Sequence, residues 1–411
     1  MKLFIFYLNR LEVLLPFIII FCSCNGQDLE KNISNSTNDI TNIKVGGQFE
    51  NNEFTYYGIP KNISPIDTSP GWKQDGLKLL LTGTAYEIDG ETPAPNVLLY
   101  YYQTNTAGKY LHKLEEKRSM PSNNLGQTHG YIRGWVKTDS MGRYFIYTVR
   151  PGTYPTNDAP AHVHITVKEP NDINEYYIDD FVFDDDKLLT STYRKKMENR
   201  CGSGVLRLVH KDDLVIGERN IILGINIPGY PKKPNTEIQS GRNVGEDVFS
   251  FIPFHAWGPD RGTRTCPVCK YGWYQGILYF VSNYPDWVDI KQWLTFLEAE
   301  SNKRQKYIKV YFVYGNEKDY NKTDRQKELE AIGNELHLEK VALTYVPSFS
   351  DSESEIDLNK INPNTANTFI LYKRNKIIAK FINLKPNLIN FELLNKTLDK
   401  SINEYFDLPK K

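Results

Sequence analysis

Ala159-Pro-Ala-His-Val-His-Ile-Thr-Val167 is the stretch on which the reading of this chain turns. Its alternation is that of a short strand, and residues two apart on a strand share a face. His162 and His164 therefore present their imidazoles side by side. Such a pair is poor core material and suits a transition metal, although two surface histidines on an edge strand would show the same spacing. Just upstream, the turn-forming run Arg150-Pro-Gly-Thr-Tyr-Pro155 fixes Tyr154 close in sequence to the pair. A tyrosinate is a hard anionic donor. It forms near neutral pH only where a strong Lewis acid lowers a pKa of about 10. Iron(III) suits phenolate and imidazole together.

Outward from this strand the texture repeats. Short apolar or alternating segments cover 77–86, 96–103, 131–138, 143–149, 162–168 and 221–227. Turn signals such as Asp89-Gly90 and Met141-Gly142 separate them. Regularly spaced short strands with few helical stretches predict a β-sandwich over 77–228. The acidic run Asp179–Asp186 lacks the spacing and glycine of a calcium loop. It reads as a solvated loop anchored by Phe181 and Phe183. Cys201 reads as structural.

Near residue 229 the pattern changes. Residues 229–246 carry Gly, Pro, Lys and Asn and read as a linker. Over 247–405 strands alternate with helices: strands at 276–282, 307–314 and 341–346, helices at 286–300 and 324–336, then a hairpin at 368–373 and 376–382. That order predicts an α/β domain with strands covered on both faces.

Composition excludes some functions. Lys plus Arg is 50 and Asp plus Glu is 50, so no net charge draws the chain to nucleic acid. Five cysteines are too few for a disulfide scaffold. The N-terminus has a basic start, a short apolar run and then Cys22-Ser-Cys24. The run is too short to span a bilayer as a helix. Residues 1–24 resemble a bacterial lipoprotein leader, with Cys24 as the lipidated residue and a membrane anchor; a plain secretory signal is the other reading. Either way the chain is expected to be exported, in the first case to the cell envelope. Residues 25–76, rich in Asn, Ser and Thr, read as a flexible tether.

Beyond the histidine strand, several longer motifs follow one another. They are Leu81-Thr-Gly-Thr-Ala-Tyr-Glu-Ile-Asp-Gly-Glu-Thr-Pro-Ala-Pro-Asn-Val-Leu-Leu-Tyr100, Gln103-Thr-Asn-Thr-Ala-Gly-Lys-Tyr110, Arg133-Gly-Trp-Val-Lys-Thr-Asp-Ser-Met-Gly-Arg-Tyr144 and Val149-Arg-Pro-Gly-Thr-Tyr-Pro155. With Pro160-Ala-His-Val-His164 they resemble, in order, the intradiol ring-cleavage dioxygenases, the family of protocatechuate and catechol dioxygenases. The resemblance covers about residues 77–228. It implies iron(III) held by two Tyr and two His, and a small aromatic diol opened with O2 to a muconate-type dicarboxylate. By motif, Tyr154, His162 and His164 match three ligands. Tyr110, in Gly-Lys-Tyr, is the favoured fourth. Tyr131 is the alternative, though it lies closer to Tyr154 than the family pattern leaves. The family commonly places Arg before Pro-Ala-His, where this chain has Ala159. Arg133 and Arg150 are the candidates to supply that cation, and a surface salt bridge is the plain reading of each. The missing arginine and the export signal keep a second function open: a non-catalytic module on the same fold that binds an aromatic or glycan ligand.

The C-terminal segment resembles the thioredoxin fold but departs from its active site. Cys266-Pro-Val-Cys269 precedes the first central strand instead of following it. The corner after that strand, Ser282-Asn-Tyr-Pro285, has no Cys, and Asn367 stands where a cis-proline is usual. A structural disulfide is the expected state of the pair. A working redox site, which would make the chain a redox sensor, and half of a zinc site are the other possibilities.

Overall fold

The computed structural model describes residues 45–46, 52–231, 238–304 and 307–402. The leader with Cys24 lies outside them. Residues 43–411 form one unit, built on three sheets.

Two sheets share the N-terminal core. The first runs Ile66–Thr68, Arg143–Val149, Lys78–Tyr86, Leu214–Glu218, Leu208–Lys211, with Ile221–Ile222 also on Lys78–Tyr86. The second runs Arg133–Lys137, Leu98–Gln103, His162–Lys168, Phe181–Phe183, Val205–Leu206, with Tyr176–Tyr177 on His162–Lys168. Both mix parallel and antiparallel pairs. Leu79, Leu81 and Ile146 of the first sheet meet Leu99, Val163, Ile165 and Val167 of the second in one core. Burying each such side chain contributes roughly 1.5–3 kcal/mol. This packing fixes the pleat. With Val163, Ile165 and Val167 inward, His162 and His164 must point to the outer face of the second sheet. Tyr100 and Tyr102 share that face and pack with Trp135 and Tyr110.

Three expectations require correction. The tether does not extend to residue 76. Ile66–Thr68 pairs in parallel with Arg143–Val149, and Asp67 accepts hydrogen bonds from Arg118 and Tyr101. These are long-range contacts that leave no local periodicity to read. The acidic run is not a loop throughout, because Phe181–Phe183 is a strand wedged between His162–Lys168 and Val205–Leu206. Its three apolar residues bury all their side chains against neighbours. The expected strand at 221–227 is cut to Ile221–Ile222. In exchange, a hairpin forms at Leu208–Lys211 and Leu214–Glu218, turning through Asp212 in the left-handed region.

The third sheet runs Phe254–Trp257, Ala342–Tyr345, Ile308–Tyr314, Gln275–Val281, Thr368–Lys373, Lys376–Ile382. Gln275–Val281, Ile308–Tyr314 and Ala342–Tyr345 are parallel, and the last two strands are antiparallel. Gln275–Val281 is buried along its whole length, as a strand covered on both faces requires. Helices Trp287–Arg304, Lys322–Glu335 and Leu388–Ile402 complete the segment. Residues 238–246, read as linker, are fastened here. Gly241 N donates to Lys360 O at 2.9 Å and Gly245 N to Ile377 O at 2.8 Å. No helix among the described residues is long and apolar enough to cross a membrane.

Candidate metal centre

Two loops bring two tyrosines together. Asn105 organises the first: its side-chain oxygen accepts from Ala107 N and Lys109 N, each at 3.0 Å. Its backbone carbonyl accepts from Gly152 N of the second loop at 2.9 Å. The loops touch backbone to backbone. A Cβ at Gly108 would lie 1.7 Å from Thr153 O, and one at Gly152 would lie 2.4 Å from Thr106 O. Glycine at both positions permits the approach. As a result Tyr110 Oη lies 3.1 Å from Tyr154 Oη.

The histidine strand completes the group. Tyr154 Oη is 3.1 Å from His162 Nε2 and 3.4 Å from His164 Nε2, and the two Nε2 atoms are 3.1 Å apart. Bonds of about 2 Å from four such donors to one shared ion give ligand separations of this size.

Proton positions sharpen the point. His162 Nδ1 lies 2.7 Å from the carbonyl of Pro160. A carbonyl only accepts, so Nδ1 carries the hydrogen and Nε2 a lone pair. His164 Nδ1 lies 2.8 Å from Asp180 Oδ1. Burial pushes the Asp180 carboxyl up, but His164 beside it outweighs this and holds it below the ordinary carboxylate range. When neutral, His164 gives its Nδ1 hydrogen to this carboxylate and keeps a lone pair on Nε2. Two lone pairs thus face each other at 3.1 Å. The Tyr154 hydroxyl has one proton and can satisfy only one of them. Burial, and next the neighbouring Tyr154, push the Tyr110 phenol far above its ordinary range. Burial and the neighbouring His164 push the His162 imidazole down. Neutral imidazoles converging on phenolic oxygens form a donor set that a cation satisfies and the protein alone does not. His162, His164 and Asp180 offer ligand atoms within 4.8 Å of one another. Asp180 sits on the Nδ1 side of His164, away from the convergence point, so it orients that ring.

The surroundings are aromatic. Tyr102 lies directly opposite His164 in the strand register, with ring centroids 4.4 Å apart. The other face of Tyr102 stacks on His129 at 3.5 Å. His129 Nδ1 is 2.8 Å from Tyr100 Oη, which accepts from Arg133 Nη1 at 2.9 Å. Burial, then His164 and Arg133, push His129 down to about 2, so it adds no charge.

The other candidate residues lie elsewhere. Tyr131 does not join the cluster: its hydroxyl meets Gln74 Nε2, and Lys113 lies 4.5 Å from its ring centroid. Arg133 is fully buried. It is spent on Arg118 O, Phe54 O, Tyr57 O and Tyr100 Oη, because an interior guanidinium must satisfy its donors locally. Arg150 forms a two-pronged pair with Asp185 at 2.6 and 2.7 Å and covers the ring of Phe183. Neither guanidinium makes a hydrogen bond to Tyr110, Tyr154, His162 or His164. Cys266 and Cys269 are joined as a disulfide opening the short helix Pro267–Tyr271. Asp180, Tyr102 and His129 were not singled out in the sequence. Asp180 lies at the start of the apolar triplet 181–183, and an ionisable residue beginning a buried strand is a signal that could have flagged it.

Residues 58–215 match the family model described as "Dioxygenase". The chain is 32% identical over 98 residues to the protocatechuate 3,4-dioxygenase beta chain of Burkholderia cepacia, covering 22% of this chain and 39% of that one. It is 27% identical over 111 residues to the alpha chain, covering 27% of this chain and 51% of that one. The chain thus spans about half or less of the curated relatives it matches. Among solved structures it is similar to the dioxygenase domain of a dioxygenase carbohydrate-binding protein fusion from Streptomyces sp. SirexAA-E. That match has 16% identity and a TM-score of 0.29, over 40% of this chain and 91% of the other.

Proposed function

We propose that the intradiol dioxygenase domain of this protein is an iron(III) enzyme that opens a catecholic aromatic with O2, cleaving between the two hydroxyl-bearing carbons to a muconate-type dicarboxylate. The observation that carries this is the convergence of Tyr110, Tyr154, His162 and His164 with both Nε2 lone pairs facing inward. These four residues would hold the metal. Iron(III) bound there would supply a Lewis acid that makes a catechol reactive toward O2. The chain's own residues do the rest. Asp180 and the Pro160 carbonyl keep each imidazole in the tautomer that points its lone pair inward. As metal-bound tyrosinates, Tyr110 and Tyr154 would be the bases that receive the protons a catechol sheds, so no separate carboxylate base is required. Tyr102, held between His129 and His164, fixes the inner wall.

Oxygen uptake with catechols, measured beside the visible spectrum of the iron-loaded protein, tests the proposal. A red-brown protein whose absorption shifts on adding catechol, with oxygen consumed, is expected. A colourless protein after iron(III) loading, with no uptake on any catechol, would leave the non-catalytic binding module in its place.

The same reading has the protein exported and anchored through a lipid on Cys24. It makes the C-terminal segment a thioredoxin-like domain that does not act as a thiol reductase. The parallel trio of strands beside an antiparallel hairpin supports that fold. The cysteine-free corner after Gln275–Val281 supports the absence of reductase chemistry.

A further inference from the structure

A second cavity lies on the seam between the dioxygenase domain and the C-terminal segment. Its volume is about 320 Å³, at the small end of small-molecule sites. One wall comes from residues between 184 and 207 and the other from 247–250, 273, 355, 358 and 375. Its charges are unevenly matched. Asp247 takes both prongs of the Arg207 guanidinium, at 3.0 and 3.2 Å. Lys376 Nζ stands 3.4 Å from the same carboxylate. That one anion is therefore shared before Arg194 is considered. The Arg194 guanidinium comes no nearer to Asp247 than 3.9 Å and makes no hydrogen bond among the described residues. Glu355 is engaged by Lys195 at 2.6 Å. Asp184 also lines the cavity and accepts from Leu208 N at 3.2 Å. An arginine whose planar fork is unused, at the edge of a small cavity, is a carboxylate receptor in waiting. The rest of the lining sets the polar residues Ser191, Asn199, Ser203, Ser250 and Asn375 beside an apolar, partly aromatic group: Met197, Val205, Val248, Phe249, Leu358 and Trp273. The indole N–H of Trp273 also makes no hydrogen bond among the described residues.

We infer that this cavity is a binding site for a small organic carboxylate, separate from the four-donor centre: Arg194 grips the carboxylate and the apolar part lies against Trp273 and Phe249. The lining distinguishes this class from a bare inorganic anion, which would gain nothing from the apolar wall. It also distinguishes it from a neutral aromatic, which would leave Arg194 unpaired beneath it. The site does not depend on iron or on turnover.

The test uses the metal-free full-length chain and titration calorimetry with benzoate, benzamide and inorganic phosphate. Saturable binding of benzoate is expected, with benzamide at least tenfold weaker and phosphate unable to compete at equal concentration. Arg194→Gln should weaken benzoate binding tenfold or more. Trp273→Leu should weaken it severalfold while leaving phosphate unaffected. Tyr154→Phe should leave it unchanged, which separates this site from the metal centre whatever the fate of the dioxygenase reading. Arg194 is partly exposed, and a melting curve equal to wild type shows that its variant folds. Absence of saturable benzoate binding, unchanged affinity in Arg194→Gln, loss of binding in Tyr154→Phe, or equal competition by phosphate would each overturn the proposal.

Discussion

His164 Nδ1 and Asp180 Oδ1 are 2.8 Å apart, and this contact decides which nitrogen of His164 is free to bind a metal. Asp180 lies just before the strand Phe181–Phe183, which pairs with His162 and Val163. The sheet therefore sets the distance rather than a mobile loop. Asp180→Asn keeps the shape but gives up the charge that orients and enriches the imidazole. Iron affinity, measured by chelator competition, should fall by about 10- to 100-fold. An unchanged affinity would make Asp180 a bystander.

Tyr154 touches Tyr110, His162 and His164 at once. Tyr154→Phe removes the central oxygen and should abolish the visible absorption of the iron-loaded protein. Tyr131→Phe should keep it, because the Tyr131 hydroxyl is engaged by Gln74. Colour retained in the first variant would remove Tyr154 from the ligand set, and colour lost in the second would put Tyr131 in the place given to Tyr110.

Asp247 links the two halves of the seam. Burial raises its carboxyl, but Arg207 and then Lys376 overcome this, and the net effect lowers it from 3.8 to about 2. A carboxyl held below its unfolded value contributes stability that is complete above the unfolded pKa and is lost as pH falls through the folded one. The contribution is on the order of 2 kcal/mol. Asp247→Asn strands Arg207 and Lys376 and should cost about 3–5 kcal/mol at neutral pH. Between about pH 5 and pH 2 the wild type should lose stability faster, narrowing the gap. Denaturant titrations of both proteins across that range read this directly. Parallel curves would show that Asp247 carries no pH dependence.

The Cys266–Cys269 disulfide lies before the strand Gln275–Val281, at the head of a five-residue helix. A reductase needs its thiolate at the helix that follows the central strand. Insulin reduction by the full chain should show no Cys266-dependent turnover. Robust activity abolished by Cys266→Ser would reverse this reading.

Cys24→Ala should move the protein from the membrane fraction to the soluble one after cell fractionation. Two or more acyl chains are needed for stable anchoring, and none can be attached without this thiol. A variant that stays with the membrane would refute lipidation at this position.

How much of this was legible follows from the range of the interactions. The strands Arg143–Val149 and His162–Lys168 and the hairpin Thr368–Lys373 with Lys376–Ile382 match their sequence-based bounds. In each, pattern and turn chemistry are local. Ile66–Thr68 and Phe181–Phe183 escaped notice because each owes its strand state to a partner far along the chain. Among site residues, the His-x-His period and the motif tyrosines could be read directly. Asp180 could not be, because its role exists only once residues 16 apart are brought side by side.

The sequence alone determined the alternation that puts His162 and His164 on one face. That is a property of the backbone and needs no distant partner. Tertiary structure decided that Tyr110 rather than Tyr131 meets Tyr154, that Arg133 and Arg150 are spent elsewhere, and that Asp180 sets the tautomer of His164. Each of these turns on which hydrogen-bond and ion-pair partners packing supplies. A side chain's chemistry is written in its identity, but its role depends on what the fold leaves for it to bond.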